Sequence, residues 1–251
     1  MKIQKPLPLR RSKPSLGDWI RRFWVLGALV VFGLAYGAWL GINASYFRVK
    51  HLQVSGLHRV TRGDVASHAM VSARSSIWLL DTGGIARRVE AIPYVLTAHV
   101  HRALPQTVRI EVSERAPDGC VRTDDGATLT IDVSRRVLER GCPATAIVYL
   151  ARSVDDTPPG QVIEDADLAQ LQKDAHVLAE SGERLTDFSH DKYGQLEARL
   201  ADGIRVRFGD EDDLEGKRRL IGSVLASLGN RLAGVTAIDL RAPATPVVER
   251  R

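Results

Sequence analysis

Twenty consecutive residues without a charge, Phe23 to Ile42 (FWVLGALVVFGLAYGAWLGI), constrain this chain more than any other feature. As a helix rising about 1.5 Å per residue, the run spans roughly 30 Å, the thickness of a bilayer's hydrocarbon core. Trp24 lies near one end and Trp39 and Tyr46 near the other, where amphipathic rings anchor at the membrane boundaries. A buried core helix would have a polar face and a shorter apolar length. A cleavable signal peptide shares the basic flank, but Ile42-Asn43-Ala44 matches a small-x-small cleavage site poorly, and the run exceeds the usual apolar core of such peptides. The sequence predicts an uncleaved membrane anchor.

Flanking charge sets the direction of insertion. Residues 1–22 carry Lys2, Lys5, Arg10, Arg11, Lys13, Arg21 and Arg22 against the single acid Asp18, a net +6. Arg48 and Lys50 are the nearest basic residues on the far side. The positive-inside rule therefore places the N-terminus in the cytoplasm and residues 47–251 outside. Because the whole chain is +5, the remainder sums to −1: the basic character belongs to the tail, and the body has no electrostatic case for nucleic acid. Residues 1–15, rich in proline and basic side chains, read as a disordered topogenic segment. The length of 251 residues, with 44% hydrophobic and 26% charged, is enough for one or two domains with a real core.

Beyond the apolar run the pattern is α+β. Phe47 and Val49, then Leu52 and Val54 in flipped phase, predict a strand ending at Ser55-Gly56. Thr61 as cap and Asp64 at N3 predict a short helix to about Met70, with Val60 stapling to Val65. A second helix starts at Asp81 or Thr82, carries Ile85, Val89 and Ile92, and ends at Pro93. Ala98, Val100 and Leu104 mark a strand; Val108, Ile110 and Val112 mark another after a turn at Pro105-Gln106. The order over 47–116 is β-α-α-β-β, two helices able to cover one face of a three-stranded sheet. Past Pro117 come short strands at 120–123, 128–133 and 137–140, a helix bearing Leu168, Leu171, Ala175 and Leu178, and strands at 195–200 and 204–208 around Asp202-Gly203. A helix from Leu214 to Leu228 and a final strand, Val235 to Arg241, complete the pattern.

No catalytic constellation emerges. His99 and His101 point the same way on a strand, but no Cys, Asp or Glu nearby completes a metal site. Asp210, Glu211, Asp212 and Asp213 lack the glycine and glutamate of a calcium loop, and acids at a helix N-terminus account for them. Gly216-Lys217 is followed by Arg218 where a P-loop needs Ser or Thr. No Gly-x-Ser-x-Gly or His-Glu-x-x-His motif is present. No cofactor or small-molecule substrate is expected. Arg87-Arg88, with Arg102 and Arg109 downstream, form a basic face open to solvent, to an acidic partner or to lipid headgroups. Cys120 and Cys142 are the only cysteines. They are either two buried thiols or a disulfide; a simple three-strand meander would hold them a strand apart unless the chain folds back after Gly141.

The ordered landmarks resemble the bacterial cell-division family FtsQ, also called DivIB. "FRVKHLQVSG" is similar to that family's first strand after the membrane. "IPYV" with Arg102 and Leu104-Pro105, then "VRIEVSERAP" with Glu114, Arg115 and Pro117, are similar to its second and third strands. Tyr193-Gly194, Asp202-Gly203 and "IDLR" (Ile238 to Arg241) are similar to landmarks of its β domain. Arg135 departs from the pattern, standing where the family often has glycine. The resemblance implies a basic cytoplasmic tail (1–22), a transmembrane helix (23–44), a POTRA domain (47–117), a mostly antiparallel β domain (118–241) and a C-terminal tail (242–251). It implies a non-enzymatic scaffold of the inner membrane at the division septum, joining FtsB and FtsL and helping to control septal peptidoglycan synthesis. The contrasting readings are a POTRA-bearing envelope-assembly chaperone and an anchored cell-wall enzyme.

The resemblance also assigns the binding of FtsB to strand addition at the final strand, with Asp239, Leu240, Arg241, Ala242 and Ala244 as contacts. Thr236, Ile238 and Leu240 are then expected to face inward, with Ala237, Asp239 and Arg241 on the other face. Pro243 and Pro246 are expected to leave pairing densest before Pro243. Arg87 and Arg88 are the second expected contact surface.

Overall fold

The computed structural model describes residues 16–179, 184–210 and 212–251; the expectation for residues 1–15 lies outside them. By internal packing the chain divides into two units, one of residues 1–53, 71–81 and 101–109, the other of 54–70, 82–100 and 110–251.

The first unit begins with α1 (Leu16–Asn43), which carries the apolar run. Phe23–Ile42 has mean hydropathy 2.0 and no part of it is buried, so a lipid phase is the environment that suits its side chains. It is the one helix among the described residues long and apolar enough to cross a membrane. A 3-10 turn, Ser45–Phe47, follows, and β1 begins at His51 rather than at Phe47. The backbone explains the delay. Val49 N–H donates to the Ser75 carbonyl, and the Lys50 and His51 N–H groups both donate to the Gln106 carbonyl, which leaves Phe47 to Lys50 outside the ladder. Val49, Ile77, Leu80 and Val108 are the buried apolar side chains among the described residues of this unit.

The chain order β1 (His51–Ser55), α2 (Arg62–Ala69), α3 (Thr82–Glu90), β2 (Val95–Ala103), β3 (Thr107–Glu114) is the expected β-α-α-β-β, and the sheet runs β1-β3-β2. In the second unit, Thr61 and Asp64 form a reciprocal capping box at the start of α2. Val65, Ala69, Ile85 and Val89 bury the facing sides of α2 and α3. Gly56 has φ +81°, and a Cβ there would lie 1.9 Å from the Val112 carbonyl oxygen, so no other residue fits. Glu114 accepts the N–H groups of His58, Arg59 and Val60 at 2.8, 2.9 and 3.0 Å, fixing the turn into α2. Arg115 reaches the Val95 carbonyl and the Asp132 carboxylate. The Glu-Arg pair of the family landmark is thus structural. Leu104, expected on the buried face, is 53% exposed instead.

The rest of the second unit is a nine-stranded sheet of order β12-β11-β10-β9-β8-β7-β4-β5-β6. Its strands are β4 (Gly119–Arg122), β5 (Thr128–Ile131), β6 (Val137–Arg140), β7 (Val148–Leu150), β8 (Leu185–His190), β9 (Leu196–Leu200), β10 (Arg205–Gly209), β11 (Val235–Asp239) and β12 (Val247–Arg250). Pairing is antiparallel except at β4/β7, β7/β8 and β10/β11. Helices α4 (Ala166–Ala179) and α5 (Leu214–Leu228) share one core with Leu196, Ala198, Val206, Phe208, Ile238 and Leu240. Asp213 caps α5 by accepting the Gly216 N–H, which is the work the acidic run was expected to do.

Two local departures were open in the sequence. Arg135 adopts φ +62°, so the turn keeps the left-handed geometry for which glycine is usual, and Asp132 holds it by accepting the Ser134 and Arg136 N–H groups. Cys120 and Cys142 are joined in a disulfide, with Cα atoms 5.8 Å apart. Gly141, at φ +104°, turns the chain back across the meander, and β7 then pairs in parallel with β4 on the side away from β5. That fold-back satisfies the condition under which the two cysteines meet.

Candidate partner interface at the free sheet edge

A strand at the end of a sheet presents unpaired N–H and C=O groups to any segment able to add to it. The nine-stranded sheet has two such ends, and they differ. Outside β6, the Val137 N–H donates to the Gln161 carbonyl, the Gly160 N–H donates to the Val137 carbonyl, and Arg136 bridges to Val162. The segment around residues 160–163 therefore covers that edge. At the other end, β12 pairs on one side with β11 and no described segment lies on its outer side.

The register of β12 says which groups are free. Asp239 pairs with Val247, Ile238 with Val248, and Ala237 with Glu249. The Arg251 N–H donates to the Gly234 carbonyl at 2.9 Å. Antiparallel ladders alternate, so Val247, Glu249 and Arg251 turn their peptide groups toward β11, and Val248 and Arg250 turn theirs outward. Val248 packs its side chain against the helical core, while Val247, at 55% exposure, and Glu249 lie on the open face.

That open face is laced by charge. Arg207 on β10 reaches Glu249 on β12 at 2.6 Å, Glu197 on β9 at 3.4 Å and Asp239 on β11 at 3.9 Å. Arg241 grips Asp239 through two nitrogens, Nη2 at 2.5 Å from Oδ2 and Nε at 3.0 Å from Oδ1. The Arg241 hydrogen bonds hold the Asp239 carboxyl below its ordinary range, against the opposing effect of burial. Gly209, φ +75°, lies under this clamp; a Cβ there would stand 2.8 Å from Arg241 Cγ. Exposed ion pairs contribute little singly, but this ladder ties four strands in register up to the edge. Beside it lies an open hollow of about 410 Å³, lined by Gln195, Asp239, Arg241, Ala242, Thr245 and Val247.

Of the residues expected as contacts, Asp239, Arg241 and Ala242 come together at this hollow. Ala244 is exposed in the adjoining turn. Leu240 is fully buried, its N–H bonded to the Arg207 carbonyl, and belongs to the core. The expected final strand is not an edge: the residues read as a C-terminal tail contain β12, which covers β11. The expected alternation holds from Ile238 on, with Ile238 and Leu240 buried and Asp239 and Arg241 on the other face, but fails at Thr236, which is exposed, and Ala237, which is buried, because β11 bulges between Val235 and Ala237. The Val247-Val248 pair was the β-branched signal for β12, masked by Pro243 and Pro246.

The basic pair divides too. Arg87 is exposed, but Arg88 is half-buried and its Nη2 donates to the Ala69 carbonyl at 2.8 Å, satisfying the end of α2. His190 lies between Asp167 (2.7 Å) and Asp174 (3.9 Å). His176 and Gln172 on α4 both bond the Asp118 carboxylate. These carboxylates serve to pin α4, and no group of three or more His, Cys, Asp or Glu is placed for a metal among the described residues. His99 and His101 are exposed on β2.

Comparison with known proteins accords with this architecture. A family model described as POTRA domain, FtsQ-type, matches residues 47–115. The chain is 25% identical to the cell division protein FtsQ of Syntrophotalea carbinolica, over 95% of this chain and 86% of that protein. It is 26% identical to FtsQ of Myxococcus fulvus, over 88% and 78%, and 26% identical to FtsQ of Mycobacterium leprae, over 94% and 67%. An apolar N-terminal helix and an FtsQ-type POTRA domain over residues 47–115 stand beside this similarity, along most of the chain, to FtsQ cell-division proteins.

Proposed function

We propose that this chain is a non-enzymatic, single-pass scaffold of the division machinery, with its N-terminus in the cytoplasm and its folded body outside. It binds FtsB together with FtsL at the septum and helps control septal peptidoglycan synthesis. FtsB adds an extended segment to the outer edge of β12, and the hollow beside Asp239 and Arg241 receives side chains from it. The observation that carries this reading is the asymmetry of the two sheet ends: β6 is covered by residues 160–163, and β12 is open. The excess of basic residues before the apolar run supports the orientation. A disulfide between buried Cys120 and half-buried Cys142 supports an oxidising compartment for the body.

Depletion of the chain should produce filaments or chains of undivided cells, and the full-length protein should co-purify with FtsB and FtsL. A variant ending at Arg241 should fail to restore division. Normal division on depletion, with outer-membrane proteins lost instead, would contradict the proposal and favour an assembly chaperone.

A further inference from the structure

The end of the apolar helix is bound to residues 71–81 and 101–109 of its own unit by specific contacts. Ser76 Oγ donates to the carbonyl of Ile42, the last residue of the apolar run, at 2.6 Å. Gln106 Nε2 donates to the Tyr46 carbonyl at 2.9 Å, and Arg48 bridges to Ser76. The Phe47 and Trp78 rings meet edge-on with centroids 5.8 Å apart. The segment around residue 76 therefore sits at the depth where the run leaves the hydrocarbon.

The surface of this segment is unusual. Ile77 and Leu80 are buried, yet Trp78 is 45% exposed and Leu79 70% exposed, with Tyr46 at 61%. Arg48, Lys50 and Arg74 are exposed on the same two segments, Arg48 and Lys50 sharing a hollow with Tyr46; 44–53 and 71–80 contain no acid, and Asp81 is the first beyond them. Exposed tryptophan and leucine on segments that also expose three cations, next to a membrane span, match the chemistry of an interfacial lipid contact: rings and aliphatic carbon below the headgroups, cations on their phosphates.

We propose that Trp78 and Leu79 insert into the outer boundary of the membrane crossed by α1, and that Arg48, Lys50 and Arg74 bind the phosphates of anionic lipids there. The proposal rests on the reading of α1 as a membrane span. It makes the base of the body a lipid-docked collar, so that the exit of the helix is fixed against the bilayer instead of hinged.

Full-length protein carrying a single tryptophan at Trp78 or at Trp39 (the others replaced by phenylalanine) tests it in vesicles of phosphatidylcholine and phosphatidylglycerol, with and without bromine on the acyl chains. Trp78 emission should be quenched by the brominated lipid to an extent comparable with Trp39, and be shielded from aqueous iodide. Leu79→Glu in the Trp78-only protein should remove the lipid quenching and restore quenching by iodide. Arg48→Gln, Lys50→Gln and Arg74→Gln together should weaken the lipid quenching and abolish its dependence on phosphatidylglycerol. If Trp39 is quenched by brominated lipid while Trp78 answers only to iodide, the collar is wrong and the span stands. If Trp78 is shielded from both, a protein surface covers it and the lipid assignment is overturned. If neither tryptophan responds to brominated lipid, the span itself is wrong and the collar falls with it.

Discussion

Glu114 carries a conflict that its environment resolves. Burial pushes its carboxyl up, but the N–H groups of His58, Arg59 and Val60 together pull it below its ordinary value of 4.5. A carboxylate so depressed in the folded state stabilises the fold above that ordinary value and loses the contribution as the pH falls through and below it. Glu114→Gln should therefore cost about 1 kcal/mol at neutral pH, because a charged acceptor of three N–H groups becomes a neutral one while those of His58 and Arg59 can turn to water. Urea unfolding at a series of pH values should show the gap between parent and variant narrowing below about 4.5; a constant gap would mean the charge is not what matters. Arg87 and Arg88 make the complementary point. Adjacent residues on a helix diverge by about 100°, so a basic pair in the sequence is not one basic face. Arg88→Ala should lower stability by about 1–2 kcal/mol through the lost bond to Ala69, and Arg87→Ala should stay within about 0.5 kcal/mol. Equal effects in thermal unfolding would refute the division of roles.

Among the elements, those with an unbroken period were legible. The capping box of α2 and the alternation of Val108, Ile110 and Val112 gave both element and boundary. The strands that escaped notice fail the period-2 rule for physical reasons. β7 is three residues long, and β8 buries Leu185 and Phe188, three apart, because a bulge between Leu185 and Asp187 resets its phase. β12 hid behind Pro243 and Pro246, yet the turn of residues 242–245, closed by the Thr245 N–H on the Ala242 carbonyl, makes those prolines a corner, not an end. With β12 as the edge, two proline substitutions are told apart. Val248→Pro removes an outward N–H while leaving the pairing with β11 intact, since edge strands tolerate proline on their free side. It should weaken FtsB binding by roughly tenfold, equivalent to about 1.4 kcal/mol. Ala242→Pro lies in the corner and should bind nearly as the parent does. A calorimetric titration in which Ala242→Pro is the weaker binder would move the contact back to β11.

At the scale of the whole molecule, the apolar helix and the β-α-α-β-β order were legible because each rests on a pattern tens of residues long, and the POTRA reading came from the resemblance, which the matching family model bears out. The location of the free edge was not legible, since it depends on which strand ends a nine-stranded sheet. The disulfide makes the proposed orientation testable. In intact cells, Cys120 and Cys142 should resist maleimide until a reductant is added, as expected for a body held outside the reducing cytoplasm. Labelling without reductant would put the body inside and end the division reading. The most direct test of the central claim is amide hydrogen exchange in β12, resolved by residue, on the full-length protein with and without FtsB. Without FtsB, Val248 and Arg250 should exchange fast while Glu249 and Arg251 are protected; with FtsB, all four should be slow. Val248 and Arg250 amides that stay fast when FtsB is bound would contradict strand addition at β12.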